Sequence, residues 1–301
     1  MRAKALAWFR ALPRQPLVAG VARRVYPLLE STPLGRRLLG LVLGFLEEAE
    51  SFYTFPQDPL RWRFALVLRL FERETMEYLR SRVEPGMTVV DVGTNVGYHA
   101  RLFAESVGSG GRVVALEPNP EVYPILRRNL NRFPQALALQ LAASTVQGPV
   151  VLQVPKRITG GARITTAPSQ KSFEDSFSQH VVEAKPLNAI LSELHLQRVD
   201  LLKIDAEGAE VDILRSLGNA LETVHEVVCE LLPSNLQAFG ETPENLLAVL
   251  SSGGFRRFAI IDLHVDGRLQ TRPWLWLSAA EVMGLVATLP PDFGANLVAR
   301  R

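Results

Sequence analysis

The sequence has a single cysteine, Cys229, among its 301 residues. One thiol excludes a disulfide framework and a cysteine-ligated metal site within one chain. Because Cys229 ends the apolar run Val227-Val228-Cys229, we expect a small buried side chain of the core. A chain that makes no disulfides is typical of a reducing compartment, so the sequence predicts the cytoplasm.

Long hydrophobic runs are also missing. The longest candidate, Leu38 to Leu46, has half of the roughly 18 apolar residues that a membrane-spanning helix needs. Arg10 and Arg14 interrupt the apolar core that a secretory signal requires, and no serine precedes Ser31, which argues against a transit peptide. The sequence therefore predicts no transmembrane segment and no targeting peptide.

Acidic residues are almost absent from the first 37 positions, where eight arginines and lysines accompany Glu30 alone. This stretch carries +7, which leaves −5 for the rest of a chain whose net charge is +2. Apolar residues recur there at helical spacing between prolines. We predict that residues 1–60 form a basic helical arm beside a main domain at 61–301.

Two roles are open for this arm. It fits a helical lid or homodimer arm packed on the main domain, and it also fits peripheral contact of residues 1–50 with an anionic membrane surface. We favour the lid, because the prolines divide the arm into helices too short to bury a long apolar face in a bilayer.

Beyond the arm, a helix is predicted at residues 64–83, and short apolar strands then alternate with amphipathic helices. The predicted strands are residues 88–92, 113–116, 137–141, 150–154, 200–204, 226–230, 258–262 and 273–277. Such alternation predicts an α/β fold whose mostly parallel sheet is covered on both faces, with ligands at the carboxyl ends of the strands. Residues 159–178 lack periodicity and indicate a lid or binding loop.

The segment VVDVGTNVGYH, residues 89–99, leads from a predicted strand into two glycines four positions apart. No lysine follows Gly97, which excludes a P-loop for nucleotide phosphates. A dinucleotide site needs a middle glycine to approach the pyrophosphate, and Asn95 stands there instead. A glycine turn of this kind suits a nucleoside ligand without phosphates.

Two carboxylates flank this turn. Asp91 lies at the end of its strand, where it can meet an ammonium group, and Glu117 ends the next strand, where it can accept both ribose hydroxyls. Gly93 lets the backbone approach a ligand because it has no Cβ. A nucleoside joined to an amino acid describes S-adenosylmethionine; the alternative is a plain strand–helix turn with capping acids.

At residues 89–133 the sequence VVDVGTNVGYHARLFAESVGSGGRVVALEPNPEVYPILRRNLNRF resembles the cofactor half of the FkbM family of S-adenosylmethionine-dependent methyltransferases. The segments VDLLKIDAEGAEVDILRSL and VVCELLP resemble that family's second and third signatures. The resemblance implies a class I methyltransferase (Rossmann-like) fold, with a seven-stranded sheet whose last strand is antiparallel. It also implies methyl transfer, usually to an oxygen of a small-molecule, sugar, glycan or lipid-like acceptor.

The resemblance further implies which residues bind S-adenosylmethionine, although Thr94 stands where the family usually has alanine. The implied cofactor residues are Asp91, Gly93, Thr94, Asn95, Gly97, Tyr98, Glu117, Pro118, Asn119 and Ala143.

On the acceptor side, Asp205 and Glu207 follow the strand 200–204, at the rim of the same crevice. Asp205 is the first candidate for removing the acceptor's proton or for orienting a ligand. His99 is a second candidate base, unless it faces the helix packing. Glu207 and Glu210 could instead cap a helix.

Glu230 ends the next strand and could join Asp205 in holding a divalent ion, but two acids are weak grounds for a metal, and we predict none.

The alternative to an enzyme is a membrane-surface or partner-binding protein that keeps the fold without turnover. The intact set of Asp91, Gly93, Gly97 and Glu117 argues for the enzyme. We expect no nucleic-acid partner, because the sequence has neither an aromatic-interleaved basic patch nor an Asn-Pro-Pro-aromatic motif.

Overall fold

The computed structural model describes residues 25–156, 158–165, 177–270 and 274–301. The helical pieces predicted before residue 25, the middle of the predicted loop at 159–178 and Pro273 lie outside the described residues. The chain divides into two compact units, the first ending at Phe71 and the second running from Glu72 to Arg301. The domain boundary between residues 60 and 61 stays a prediction.

The first unit is helical. Residues 25–30 form a helical segment, followed by α1 (Pro33–Glu50) and α2 (Leu60–Val67). The hydroxyl of Thr32 accepts a hydrogen bond from the Gly35 N–H at 3.0 Å, and a proline at the first helical position needs no such partner, so the two together start α1. No described helix of the chain is both long and apolar enough to cross a bilayer.

The second unit is an α/β domain. Its helices are α3 (Arg73–Arg82), α4 (Tyr98–Val107), α5 (Tyr123–Leu130), α6 (Leu187–Glu193), α7 (Glu210–Leu217), α8 (Pro233–Ala238), α9 (Pro243–Ser252) and α10 (Ala279–Val286). Its strands are β1 (Thr88–Val92), β2 (Arg112–Leu116), β3 (Ala136–Leu139), β4 (Ala142–Ala143), β5 (Gly148–Pro155), β6 (Arg163–Thr165), β7 (Phe177–Lys185), β8 (Leu201–Ile204), β9 (Glu226–Leu231), β10 (Arg257–Val265), β11 (Arg268–Leu269) and β12 (Gly294–Arg300).

The main sheet has the order β3–β2–β1–β8–β9–β12–β10–β11. The five strands at one side of this sheet, β3, β2, β1, β8 and β9, pair in parallel. The last strand of the chain, β12, is antiparallel to both of its neighbours, β9 and β10. This confirms the predicted class I methyltransferase fold. The eighth strand is the two-residue β11, which a hairpin at Asp266-Gly267 adds to the edge.

Alternation along β2 shows why the sheet is covered on both faces. Val114 and Leu116 belong to a large core that includes side chains of α7 and α9. Ala115, between them, packs on the opposite face with Ala100 of α4 and Leu126 of α5. Successive side chains of a strand point to opposite faces, so an all-apolar strand requires helices on both sides.

Three elements differ from the sequence-based expectation. The helix predicted over 64–83 is two helices, interrupted where Arg69 and Glu72 take positive φ angles. The strand predicted at 273–277 is reduced to one isolated bridge between Leu277 and Phe258. Residues 150–154 do form a strand, but β5 belongs to a separate four-stranded sheet of order β4–β7–β5–β6.

Candidate functional site

The glycine turn between β1 and α4 lies against the loop that follows β8. The N–H groups of Gly93 and Thr94 both donate to the carbonyl of Leu116, at 3.0 and 3.1 Å. An added Cβ at Gly93, whose φ is 77°, would lie 1.7 Å from the carbonyl oxygen of Asp205. Glycine is required here because two backbones cross, a reason that the sequence did not reveal.

Asn95 links the turn to two other parts of the domain. Its N–H donates to Oε2 of Glu117 at 2.8 Å, and its side-chain amide donates to Oγ1 of Thr159 at 3.3 Å. Thr159 belongs to the segment predicted as a lid or binding loop, and it is buried. The described start of that segment therefore contacts the glycine turn.

Glu117 follows β2 and is buried. Its second carboxylate oxygen accepts a hydrogen bond from the Asn119 N–H at 2.8 Å. Burial raises the pKa of Glu117 to about 7, although the N–H groups of Asn119 and Asn95 act in the opposite direction. Each oxygen keeps a lone pair for another donor, and the buried Nδ2 of Asn119 has no partner among the described residues.

Asp91 is 1% exposed, and neither of its carboxylate oxygens has a hydrogen-bond partner within the described ranges. It lies directly across from Lys203 in the register of β1 and β8. Burial raises the pKa of Asp91, while the charge of Lys203 partly offsets the effect. A buried carboxylate without a donor is costly, and a cationic ligand group would relieve that cost.

The donors and acceptors that are left over fit S-adenosylmethionine. Asp91 offers an unpaired carboxylate to an ammonium group, Glu117 offers acceptors to ribose hydroxyls, and Asn119 offers a free amide donor. Among these three side chains, only Asn119 could donate to a phosphate. The set therefore suits a nucleoside joined to an amino acid better than a pyrophosphate.

Three carboxylates lie close together at the carboxyl ends of two neighbouring strands, β8 and β9. One oxygen from each of Asp205, Glu207 and Glu230 lies within 4.8 Å of the other two. The Asp205 N–H donates to the carbonyl of Val92 at 2.9 Å, which fixes this acid cluster beside the end of β1. Carboxylates at such separations hold protons in common or attract a cation.

Lys203 is the residue that the sequence reasoning missed. Its side chain is 1% exposed, and its ammonium donates to Oδ2 of Asp205 at 2.9 Å. Burial opposes its charge, but Asp205, Glu72 and Asp91 outweigh that effect and raise the pKa of Lys203. A signal was present, because a lysine inside the four-residue apolar strand β8 must have a buried partner.

The structure separates the two glutamates that could cap a helix. Glu210, 1% exposed, accepts hydrogen bonds from the N–H groups of Ala206 and Gly208, so it ties down the loop before α7 and does not cap the helix. Glu207 instead accepts one from the side-chain amide of Asn235 at 2.7 Å.

These two glutamates and Glu230 each have a raised pKa. Burial, then the charges of Asp205 and Glu210, raise the pKa of Glu207 to about 8. Burial raises the pKa of Glu210 to about 7, although its backbone donors act against this. Burial and the neighbouring carboxylates raise the pKa of Glu230 well above its usual range. Glu207, Glu210 and Glu230 therefore bind protons more readily than exposed glutamates do.

His99 is buried, and its Nε2 lies 3.4 Å from Oε2 of Glu72. Its ring meets that of Tyr98 edge-on, with centroids 5.1 Å apart. Burial alone would raise the pKa of Glu72, but His99 and Lys203 lower it to about 2. His99 therefore packs against the acidic side chain of Glu72. The sequence left two roles open for His99, a catalytic base or a packed side chain, and this contact corresponds to the second.

The remaining predicted cofactor residues surround the turn or support it. Gly97 has a φ of 91° and precedes α4, while Pro118 is half-buried beside Glu117. Ala143, in β4, packs in the large hydrophobic core, and Cys229 is buried as predicted. The roles of these residues toward a cofactor stay predictions.

Comparisons with known proteins agree with this geometry. The family model of the methyltransferase FkbM domain matches residues 91–257. The methyltransferase sdnD of Sordaria araneosa is 26% identical over 193 residues, which cover 56% of this chain and 73% of that protein. The hexuronic acid methyltransferase AglP of Haloferax volcanii is 24% identical over 161 residues, covering 53% of this chain and 62% of that protein.

Among solved structures, an S-adenosylmethionine-dependent O-methyltransferase of Thermotoga maritima aligns with a TM-score of 0.40 and 13% identity. The alignment covers 75% of this chain and 64% of that one.

Proposed function

Because this chain belongs to the methyltransferase FkbM domain family, we propose that it transfers a methyl group from S-adenosylmethionine to a hydroxyl oxygen of a small, uncharged acceptor. A sugar or a lipid-like alcohol is the acceptor class that we expect. One observation carries the proposal: the turn that holds Asp91 and Gly93 touches the loop of the acid cluster backbone to backbone, through Gly93 and Asp205. Cofactor and acceptor groups would thus meet at one point.

The cofactor side is held by carboxylates. When bound, S-adenosylmethionine supplies an electrophilic methyl group on a positively charged sulfur. Asp91 binds the ammonium group of its amino-acid end, and Glu117 accepts hydrogen bonds from its ribose hydroxyls. Both carboxylates lose their water on folding, which strengthens their attraction to a cation or a donor.

The acceptor side needs a group that orients the hydroxyl and a group that takes its proton. The ammonium of Lys203 contacts Asp205 at 2.9 Å and holds it in a fixed position, which suits orientation. Glu207 has a pKa of about 8, and a base works best when its pKa is near the working pH. We therefore assign orientation to Asp205 and proton removal to Glu207. His99 is buried against Glu72 and has no part in this scheme.

The acid cluster also selects the charge of the acceptor. An acceptor carboxylate would enter beside Glu207 and would make its ionised form, which the proposed base needs, still more costly, because like charges this close repel strongly away from bulk water. A neutral hydroxyl compound meets no such barrier. A hexose should therefore be methylated in preference to the matching hexuronic acid. The Haloferax relative differs in this respect, since its name gives hexuronic acid as its acceptor.

Calorimetry and mass spectrometry test these proposals in turn. We expect binding of S-adenosylmethionine and S-adenosylhomocysteine and none of NAD; binding of NAD alone would overturn the cofactor assignment. Mass spectrometry of hexose and hexuronic acid pairs then tests the acceptor class. Methylation confined to the uronic acids would show that the acid cluster does not face the acceptor.

Two variants test the roles of the acids. Asp205→Asn should lower turnover strongly while S-adenosylhomocysteine still binds. Glu207→Gln should remove the rise of turnover with pH toward pH 8, whereas the exposed control Glu222→Gln should keep it. A parental pH profile in Glu207→Gln would assign the proton to another group.

A further inference from the structure

Helix α1 has an apolar face that points to solvent. Five large apolar side chains are exposed along it: Leu34 (69%), Leu38 (48%), Leu41 (72%), Val42 (40%) and Phe45 (48%). At 100° per residue these positions fall within one arc of about 100°. The buried Leu43 lies about 150° from the centre of this arc, and the buried Leu46 about 90° from it. The exposed residues are therefore a continuous stripe rather than scattered single side chains.

Helix α1 is longer than the sequence predicts for this arm. The sequence suggested short helices divided by prolines, but α1 is 18 residues long, and no proline interrupts it after Pro33. A helix of this length is about 27 Å long, and its stripe extends over three turns. Contiguous apolar surface of this kind indicates a binding site.

Charge decides between the occupants of such a stripe. Arg37 is exposed and lies about 40° around the helix from Leu41, at the edge of the stripe, and the first 37 residues contain eight basic residues against Glu30 alone. A second copy carries the same excess of basic over acidic residues in its first 37 positions, which opposes self-association. An anionic lipid surface is complementary to it, and apolar side chains beside basic residues are typical of helices that lie in the membrane interface.

We propose that the apolar stripe of α1, formed by Leu34, Leu38, Leu41, Val42 and Phe45, binds an anionic lipid surface. The apolar side chains enter the boundary between headgroups and acyl chains, and Arg37 at the edge of the stripe pairs with the headgroups. This inference is independent of the proposed methyl transfer, since it uses none of the residues of the site.

Thiol labelling tests it directly, because Cys229 is buried and leaves a single reactive position in each variant. Leu41→Cys is compared with Val181→Cys, a control that is equally exposed (76%) but lies on β7. In solution both should react with a maleimide at similar rates. Vesicles of phosphatidylcholine with phosphatidylserine should protect Leu41→Cys about tenfold or more and leave Val181→Cys unchanged, and salt should weaken the protection.

The other occupants give different results. Slow labelling of Leu41→Cys without vesicles would mean that protein covers the stripe, and its concentration dependence would distinguish a second copy from another segment of the same chain. Fast labelling that vesicles do not change would exclude the lipid surface. Either result overturns the proposal.

Sedimentation with the same vesicles gives a second readout. The double variant Leu38→Gln/Leu41→Gln should bind about tenfold more weakly than the parent. The double variant Val181→Gln/Leu275→Gln, which removes equally exposed apolar side chains elsewhere, should bind like the parent. Equal binding by all three proteins would contradict the assignment of the stripe.

Discussion

The two units place apolar surface and charge in opposite ways. Among the described residues, fourteen large apolar side chains are exposed, and half of them lie between Val25 and Phe45. The first unit buries the acids Glu47, Glu50 and Asp58 at 4–9% exposure. The most deeply buried charges among the described residues lie in the second unit, where Asp91, Lys203 and Glu210 are each 1% exposed. Both arrangements oppose folding, since water is the better solvent for charge and the poorer one for apolar groups. Each unit keeps its unfavourable feature where we propose that a ligand binds.

Lys203 gives the sharpest test of the buried charges. In Lys203→Met the carboxylates of Asp91 and Asp205 lose their cation, and removing one partner of a buried pair costs about 3–5 kcal/mol of unfolding free energy. We expect urea denaturation to show a loss of this size. The surface variant Lys185→Met, which breaks the 2.6 Å contact with Glu193, should lose less than about 1 kcal/mol.

Similar losses in the two lysine variants would contradict the comparison. They would mean that Lys203 is no more important for stability than a surface lysine, and that its neighbours are protonated or hydrated in solution.

Glu117 tests whether a buried carboxylate of the second unit serves ligand binding. Glu117→Ala should weaken binding of S-adenosylhomocysteine by about 1.5–3 kcal/mol, the usual contribution of hydrogen bonds to a charged group. Isothermal calorimetry measures the change, with the exposed Glu222→Ala as the control. Unchanged affinity would remove Glu117 from the ribose site.

The raised pKa values predict how stability changes with pH in the absence of cofactor. The pKa values of Glu117 and Glu210 are about 7 and that of Glu207 is about 8, whereas an unfolded glutamate titrates near 4.3. Between these values the folded protein binds more protons than the unfolded chain, so stability falls as pH rises. The lowered pKa of Glu72, about 2, acts below this window.

We expect the free energy of unfolding to fall by about 2 kcal/mol between pH 5 and pH 8.5, because neighbouring carboxyls share protons and their separate shifts do not add. Urea titrations at several pH values measure it. Glu207→Gln should show a shallower fall, and Glu222→Gln should follow the parent. Stability that rises over this window would show that the acids are ionised and well solvated.

The fold and the positions of the glycine turn and its two acids were predictable because their signals are local. The glycine turn, Asp91 at the end of β1 and Glu117 at the end of β2 each follow from a strand that stops at a recognisable residue. The contact of Gly93 with Asp205 and the pairing of His99 with Glu72 join residues far apart in sequence, so no local pattern announced them. The direction in which α1 points its leucines was unpredictable for the same reason.

The smallest expected effect tests the comparison on a single helix. Leu41 and Leu43 are two positions apart on α1, yet Leu41 is 72% exposed and Leu43 is fully buried. Leu43→Ala removes core contacts and should cost about 2–5 kcal/mol of unfolding free energy, whereas Leu41→Ala should change it by less than about 0.5 kcal/mol. Thermal and urea denaturation without lipid measure both. A loss for Leu41→Ala that approaches the loss for Leu43→Ala would mean that protein covers the stripe in solution; a near-zero loss leaves the stripe free for a ligand outside the chain.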